Sequence, residues 1–324
     1  MHTRRWTVGS LCLVIVAVAA TPAGAQDYPT RPVRIVSDAA PGSAIDPIVR
    51  IVADRLSQMW GQQVIVVNLP GAGGSIAVSA AAKSAPDGYT LLVAALSTFV
   101  AAPGTASNLP IQVPRDFLPV GHLGGAPMLI AAASWLDVKT LPELIALAKK
   151  NPPNELTYAT TGPGRLTHMT GELLANRAGI QLLMIPYPGG TRQALKEMQS
   201  KRVSLVIESY SGLMSAIQSR VVIPLAVASP QRVPGMPNVP TVAETLPGFQ
   251  ASGWQAVLVP RGTPDAIVQK VNTDLIKALS HPEVSKQLAR YQRKQPALSP
   301  AETSAFIKAE RATWAPIVKQ IGLR

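Results

Sequence analysis

The sequence has 324 residues, of which 47% are hydrophobic and 15% charged, and its formal net charge is +12. This length accommodates two domains, and the composition is typical of a globular protein and excludes an intrinsically disordered chain. The basic excess fits nucleic acid or a small anionic ligand, but just 5% of the residues are aromatic and Lys and Arg cluster in pairs at most. We therefore expect no nucleic-acid partner.

The N-terminus carries the pattern of a cleavable export signal. Arg4 and Arg5 precede an apolar stretch at residues 8–20, and residues 23–25 have the small-x-small form of a cleavage site. The apolar stretch is too short to span a bilayer. We expect residues 1–25 to be a signal peptide and the mature protein to be a soluble protein of the periplasm.

The sole cysteine, Cys12, lies inside this predicted signal. The mature chain therefore has no thiol with which to form a disulfide, a thiolate metal site or a cysteine nucleophile.

The first predicted βα unit covers residues 33–56. A β-branched run at 33–36 predicts a strand, and the apolar spacing over 48–56 predicts a helix. The loop between them points free backbone N–H groups and a positive helix end into solvent, which suits a carboxylate. Ser43 and Asp46 have the spacing of a capping box, so they either only cap this helix or also contact a ligand.

Two further predicted strands of the first half lead into possible ligand contacts. The apolar run at 64–67 predicts a buried parallel strand, followed by a glycine-rich turn at 68–75. This turn lacks the G-x-G-x-x-G spacing and the lysine of a phosphate loop, so its glycines serve close packing or ligand contact rather than nucleotide binding. The strand at 90–95 places Ser97 at its carboxyl end, where ligands collect in open α/β sheets.

The second half of the sequence repeats the same pattern of strand, loop and helix. A strand at 156–159 leads through a small-residue loop into a helix, with Thr167 as a possible cap, and a strand at 203–207 ends at Glu208 and Ser209. Three strand-to-helix turns predict βα units in two parallel sheets with facing loops. Further predicted elements are strands at 128–133 and 222–228 and helices at 141–150, 193–200, 265–279, 282–291 and 300–320.

The sequence shows no catalytic or metal-binding motif. His122, His168 and His281 are far apart and belong to no metal-ligand pattern, and no G-x-S-x-G nucleophile is present. We interpret His168 as a hydrogen-bonded structural histidine rather than a catalytic base. Asp46 and Glu208 could form an acid pair only if the fold brings them together. We expect no enzymatic activity, no metal and no cofactor.

A series of short motifs extends over essentially the whole mature chain. They are YPTRP at 28–32, NLPGAGG at 68–74, PDGYTLL at 86–92, LPEL at 141–144, YATTG at 158–162, PYPGG at 186–190, LAV at 225–227, VPTVAE at 239–244 and PRGTP at 260–264. With these motifs the chain resembles the Bug-type, TctC-like extracytoplasmic solute receptors of tripartite tricarboxylate transporters.

The resemblance implies the fold of a type II periplasmic binding protein, with two α/β lobes and a ligand cleft between them. Crossings near Pro127 and Phe249 would place residues 26–127 and 249–324 in lobe 1 and residues 128–248 in lobe 2. The implied function is capture of a small carboxylate by hinge closure and delivery to TctA/TctB-like membrane subunits, by a monomer. The alternatives are a ligand-sensing receptor for a signalling partner and a hydrolase or lyase on the same scaffold.

The resemblance also implies the ligand-binding residues. From lobe 1 they are Ala40, Gly42, Ser43, Ala44, Asp46, Ser75 and Ser97. From lobe 2 they are Thr161, Gly162, Arg165, Thr167, His168, Glu208 and Ser209. The implied carboxylate is held by helix N-termini and hydroxyl groups.

The chain departs from the family pattern inside both ligand loops. Asp38 and Ala39 stand where the family has Pro-Phe, Ser43 replaces a glycine and Ile45 replaces a hydroxyl residue. Arg165 and Leu166 stand where the second loop carries Thr or Ser after its glycine. Either Arg165 takes over anion binding, for a bulkier or more apolar acid, or it points to solvent.

Overall fold

The structure is a computed structural model that describes residues 28–100, 115–291, 297–320 and 322. The predicted signal peptide at residues 1–25 lies outside the described residues. Within the described ranges, none of the helices combines the length and the apolar character that a membrane span requires.

The secondary structure alternates between strands and helices. The strands are β1 (Val33–Ser37), β2 (Val64–Asn68), β3 (Thr90–Ala95), β4 (Phe117–Ala133), β5 (Thr157–Thr160), β6 (Leu183–Pro186), β7 (Leu205–Ser209), β8 (Val222–Val227) and β9 (Ser252–Pro260). The helices are α1 (Asp46–Trp60), α2 (Ser75–Ala82), α3 (Leu96–Val100), α4 (Leu141–Lys150), α5 (Leu166–Ala178), α6 (Thr191–Gln199), α7 (Tyr210–Gln218), α8 (Asp265–Ser280), α9 (Pro282–Ala289) and α10 (Pro300–Gln320).

The strands form two parallel units that meet through antiparallel strands. β1 pairs in parallel with β2 and β3, and β5 pairs in parallel with β6 and β7. β9 runs antiparallel between β3 and β4, while β7 and β8 run antiparallel to β4. The predicted parallel βα units are therefore present in both halves, with antiparallel strands at the junction.

The junction depends on β4, which changes partners along its length. It pairs with β9 from Phe117 to Pro127 and with β7 from Met128 onward. Sequence patterns predicted neither β9 nor the first half of β4. The register of β4 shifts on both sides of His122, and its prolines and glycines interrupt the alternation that identifies a strand. The lobe boundaries inferred from the resemblance remain a prediction.

The parallel strand β3 is covered by helices on both faces, as its apolar run at residues 91–95 indicates. Leu91 and Val93 of β3 pack with Ile48 of α1 in one core cluster. Leu92 of β3 packs on the opposite face with Ala77 of α2. With both faces covered, the carboxyl ends of the parallel strands are the part of each unit left open to the cleft.

Candidate ligand-binding site

A cavity of about 310 Å³ lies where the carboxyl ends of β1, β3, β5 and β7 come together. Its walls come from the loops that follow these strands, from the glycine-rich turn after β2, and from β4 and β9 where the two strands cross. The lining residues are 38–40, 43–45, 70–74, 95–97, 126, 128, 161–163, 165–167, 188, 190, 208, 209 and 253–255. This is the usual place for a ligand in an open α/β sheet.

The cavity brings together most of the residues that the resemblance implied. Those that line it are Ala40, Ser43, Ala44, Ser97, Thr161, Gly162, Arg165, Thr167, Glu208 and Ser209. Four others are not among the lining residues, and these are Gly42, Asp46, Ser75 and His168. Most of the implied residues thus share one location in the fold.

Asp46 holds the loop between β1 and α1. Its Oδ2 accepts hydrogen bonds from Gly42 N at 2.9 Å and Arg50 Nε at 3.1 Å, and its Oδ1 accepts one from Asn68 Nδ2 at 2.9 Å. Burial by itself raises the pKa of Asp46, but these hydrogen bonds outweigh it and hold the pKa below the ordinary value. Both carboxylate oxygens of Asp46 are thus occupied by Gly42, Arg50 and Asn68, and Asp46 does not line the cavity, so the acid pair with Glu208 does not form there.

The predicted capping box at Ser43 and Asp46 is wrong. Helix α1 begins after Ile45, which makes no side-chain cap. The Asp46 carboxylate instead reaches back to Gly42, one residue before Ser43. The Ser43 Oγ atom is buried, lines the cavity, and has no hydrogen-bond partner among the described residues.

The glycine-rich turn after β2 serves both packing and the cavity wall. Gly71, Gly73 and Gly74 line the cavity, and all three have positive φ. A Cβ atom on Gly74 would lie 2.9 Å from Asp38 Oδ2 and 2.7 Å from Thr98 Oγ1. Glycine at this position therefore allows the turn to approach the Asp38 carboxyl group closely.

The loop between β5 and α5 is held by uncharged groups. Thr161 N donates to Thr167 Oγ1 at 3.0 Å, and Gly164 N donates to His168 Nδ1 at 3.1 Å. Helix α5 begins at Leu166, with Arg165 as its N-cap residue, so Thr167 lies in the first turn and is not the cap that the sequence suggested.

His168 is neutral in this arrangement. Burial lowers its pKa, and the nearby Glu172 opposes this effect only in part. Because Nδ1 accepts a hydrogen bond, the ring proton belongs on Nε2, which faces Glu172 Oε1 at 3.7 Å. His168 therefore supports the loop, in agreement with its interpretation as a structural histidine.

An ion pair connects the two facing loops across the cavity. Arg165 Nη1 donates to Asp38 Oδ2 at 3.0 Å, and Thr98 Oγ1 donates to the same oxygen at 2.8 Å. The Asp38 side chain is 0% exposed and the Arg165 side chain 15% exposed. The interpretation that Arg165 points to solvent is therefore wrong. Asp38 lines the cavity although it was not among the implied ligand residues. The sequence signal that could have identified it is that Asp38 stands where the family has a proline.

Glu208 is the second carboxyl group of the cavity. Thr191 Oγ1 donates to its Oε2 at 2.9 Å, and Ser209 donates to its Oε1 from the backbone N at 2.7 Å and from Oγ at 3.1 Å. Burial raises the pKa of Glu208, while these hydrogen bonds and the charge of Arg165 counteract part of that rise. Both oxygens of Glu208 thus already have protein donors.

The described residues contain no group of three His, Cys, Asp or Glu side chains able to hold a metal ion. The remaining wall is largely apolar, with Trp254, Met128 and Leu166 exposed to the cavity. The arrangement combines an apolar surface with a few polar groups, as small-molecule binding sites do.

Comparison with known proteins gives one consistent result. The family model described as tripartite tricarboxylate transporter family receptor matches residues 48–323. Protein BugT of Bordetella pertussis is 33% identical over 324 residues, covering 99% of this chain and 98% of that protein.

Two solved structures with named ligands are also similar. The R. palustris protein Rpa4515 with adipate has a TM-score of 0.87 at 30% identity, and the match covers 91% of this chain and 99% of that one. MatC from Rhodopseudomonas palustris with bound malate has a TM-score of 0.83 at 29% identity, and the match covers 90% and 100%.

Proposed function

Because this chain belongs to the tripartite tricarboxylate transporter receptor family, we propose that it binds a small carboxylate between its lobes and delivers it to the membrane subunits of such a transporter. The members of this family and the similar structures are periplasmic solute-binding receptors and not enzymes. Two of the similar proteins hold the dicarboxylates adipate and malate. We extend the same ligand class to this protein and assign no catalytic step to it.

The observation that carries this proposal is the position of Arg165 at the start of α5. The side chain lines the cavity, and its Nη1 donates to Asp38 Oδ2. A guanidinium group has five N–H donors and matches the geometry of a carboxylate. The N-terminus of the 13-residue helix α5 lies beside it and adds a partial positive charge.

The crossing strands support a hinge mechanism. The chain passes between the two parallel units through β4 and β9, which pair with each other up to Pro127. We propose that the lobes, residues 26–127 with 249–324 and residues 128–248, rotate about this crossing. Closure would bring Asp38 and Arg165 together around a bound ligand, and the closed form would be recognised by membrane subunits of the TctA/TctB type.

The proposal is tested by calorimetry and thermal unfolding of the exported protein with aliphatic and aromatic mono-, di- and tricarboxylates. A ligand at a hundredfold excess over its Kd stabilises the folded state by about 2.7 kcal/mol, so at least one carboxylate class should raise the Tm by several degrees. Small-angle scattering should show a smaller radius of gyration with that ligand. If no carboxylate binds, the proposed function is wrong.

A further inference from the structure

We propose that the ligand is an amino carboxylate, whose ammonium group binds Asp38 while its carboxylate binds Arg165. This inference rests on the proposed function and specifies its ligand. It starts from Asp38 Oδ1, which is buried and has no hydrogen-bond partner among the described residues. A buried carboxylate oxygen without a donor is costly, and the great majority of such atoms are satisfied. A ligand bound in the cavity that Asp38 lines can supply this donor.

The two oxygens of Asp38 have different surroundings. Oδ2 accepts hydrogen bonds from Thr98 Oγ1 and Arg165 Nη1, so the protein itself satisfies this oxygen. Oδ1 accepts no hydrogen bond from any residue within the described part of the chain. The carboxylate is therefore fixed in position by one oxygen and presents the other as an unused acceptor.

Arg165 complements this acceptor with unused donors. Its Nη1 binds Asp38, whereas Nε and Nη2 engage no described residue. The guanidinium group can therefore keep its bond to Asp38 and donate to a ligand carboxylate at the same time. Side by side, the two residues offer an acceptor and a pair of donors, which is the complement of a molecule that carries an ammonium and a carboxylate group.

The charge balance of the cavity favours the same class of ligand. Among the described lining residues, Asp38 and Glu208 are acidic and Arg165 is basic. A ligand that carries only carboxylates adds negative charge beside Asp38 and competes with it for Arg165. Separating a buried ion pair leaves one charge uncompensated, which is strongly unfavourable. The ammonium group of an amino carboxylate offsets the charge of one ligand carboxylate, so this ligand adds one negative charge fewer than the unsubstituted acid. Glu208 needs no ligand donor because both its oxygens accept protein hydrogen bonds.

A ligand can reach Asp38 when the cleft opens. Asp38 follows β1 and Arg165 precedes α5, so the two residues come from facing loops of the two lobes. In the present structure the Asp38 side chain is fully buried and in contact with Arg165. Separation of the lobes would expose Asp38, and subsequent closure would bring Arg165 onto the ligand carboxylate. Ser43 Oγ, a second unpartnered polar atom of the same cavity, provides a further hydroxyl group.

The test compares matched ligands that differ only by the amino group. Calorimetry at pH 7 would measure the Kd of the exported protein for alanine and propionate, aspartate and succinate, and 2-aminoadipate and adipate. We expect the amino compound of the best-bound pair to bind at least tenfold more tightly than its partner. In Asp38→Asn this ratio should fall below threefold, because the amide keeps the shape and loses the charge. Asp54→Asn, an exposed position on α1, should retain the wild-type ratio.

Each outcome separates this inference from the proposed function. If the unsubstituted acids bind as tightly as the amino acids, the inference is overturned and the carboxylate receptor stands. If no compound of either kind binds, both are overturned. The Kd ratios of the wild-type protein alone decide whether the ammonium group contributes to binding. Thermal unfolding of Asp38→Asn establishes that this variant is folded before its Kd ratio is interpreted.

Discussion

The loops that follow β1 and β5 face each other across the cavity, and each is held by side chains from the first turn of the next helix. In the first loop, Asp46 accepts the N–H of Gly42 and is itself held by Arg50 and Asn68. In the second, Thr167 and His168 accept backbone N–H groups. The first loop is thus anchored by a charged network and the second by neutral hydrogen bonds.

What the two loops share bears on which residues face the cavity. Asp46 and His168, which sequence reasoning assigned to the ligand, hold their own loops because an adjacent backbone N–H is a near donor, and Thr167 holds its loop while also lining the cavity. The loop positions before the helices are left to face the cavity, and they carry the ion pair of Asp38 and Arg165. Loop support and ligand contact are separated in sequence by only a few residues.

Removing the charged anchor of the first loop should cause the largest loss in the free energy of unfolding. Asp46→Ala removes the acceptor for Gly42 N, Arg50 Nε and Asn68 Nδ2. We expect the free energy of unfolding to fall by about 1.5–3 kcal/mol, the range for hydrogen bonds to a charged group, measured by urea denaturation. Asp54→Ala, on the exposed side of α1, should change it by less than about 0.5 kcal/mol. Equal losses in the two variants would show that the network does not anchor the loop.

The charged residue of the second loop should instead affect ligand binding. Arg165→Ala removes the donor that faces the cavity, and we expect affinity for the best-bound carboxylate to fall by about 1.5–3 kcal/mol, measured by calorimetry. Arg202→Ala is the matched control, because Arg202 pairs with Glu197 at the surface and its side chain is 72% exposed. Unchanged affinity in Arg165→Ala would contradict the assigned role.

The family and the fold were accessible from sequence because their signals are local. The motifs identified a TctC-like, Bug-type receptor, and this identification is confirmed. The two-lobed α/β fold is confirmed as well, and the apolar run of the buried strand β3 was a local signal for it. β9 and the first half of β4 were missed because pairing across the junction, rather than a local pattern, makes them strands.

The ion pair of the site could not be derived in the same way. The replacement of a family proline by Asp38 and the presence of Arg165 were both visible, but the two residues are 127 positions apart. Their contact depends on how two lobes face each other, and no spacing rule connects residues on different sheets. Sequence reasoning therefore named most of the residues that line the cavity and left the partners of its charges undetermined.

The neutral anchor of the second loop should contribute less than the charged anchor of the first. Thr167→Val keeps the shape of a buried side chain and removes the oxygen that contacts Thr161 N and Thr161 Oγ1, both at 3.0 Å. We expect a loss of about 1–2 kcal/mol in the free energy of unfolding, since one buried N–H is left without an acceptor. Thr313→Val, which removes a hydrogen bond to Ala309 O on an exposed helix face, is the control. A loss as large as that of Asp46→Ala would remove the distinction between the two loops.

The smallest effect is the pH dependence that His168 of the second loop should contribute. Burial lowers the folded-state pKa of His168, whereas the unfolded chain takes up a proton near pH 6.5. The stability that neutral His168 contributes is therefore complete above this pH, and it is lost as the pH falls from about 6.5 toward the folded-state pKa. His168→Asn retains an acceptor for Gly164 N but cannot titrate. Unfolding at pH 7.5, 6.5 and 5.5 should show the wild type losing about 1 kcal/mol or less relative to this variant. His168→Phe has neither the acceptor nor a titratable group, so it should be less stable than the wild type already at pH 7.5. Identical pH profiles of the wild type and His168→Asn would rule out titration at this loop.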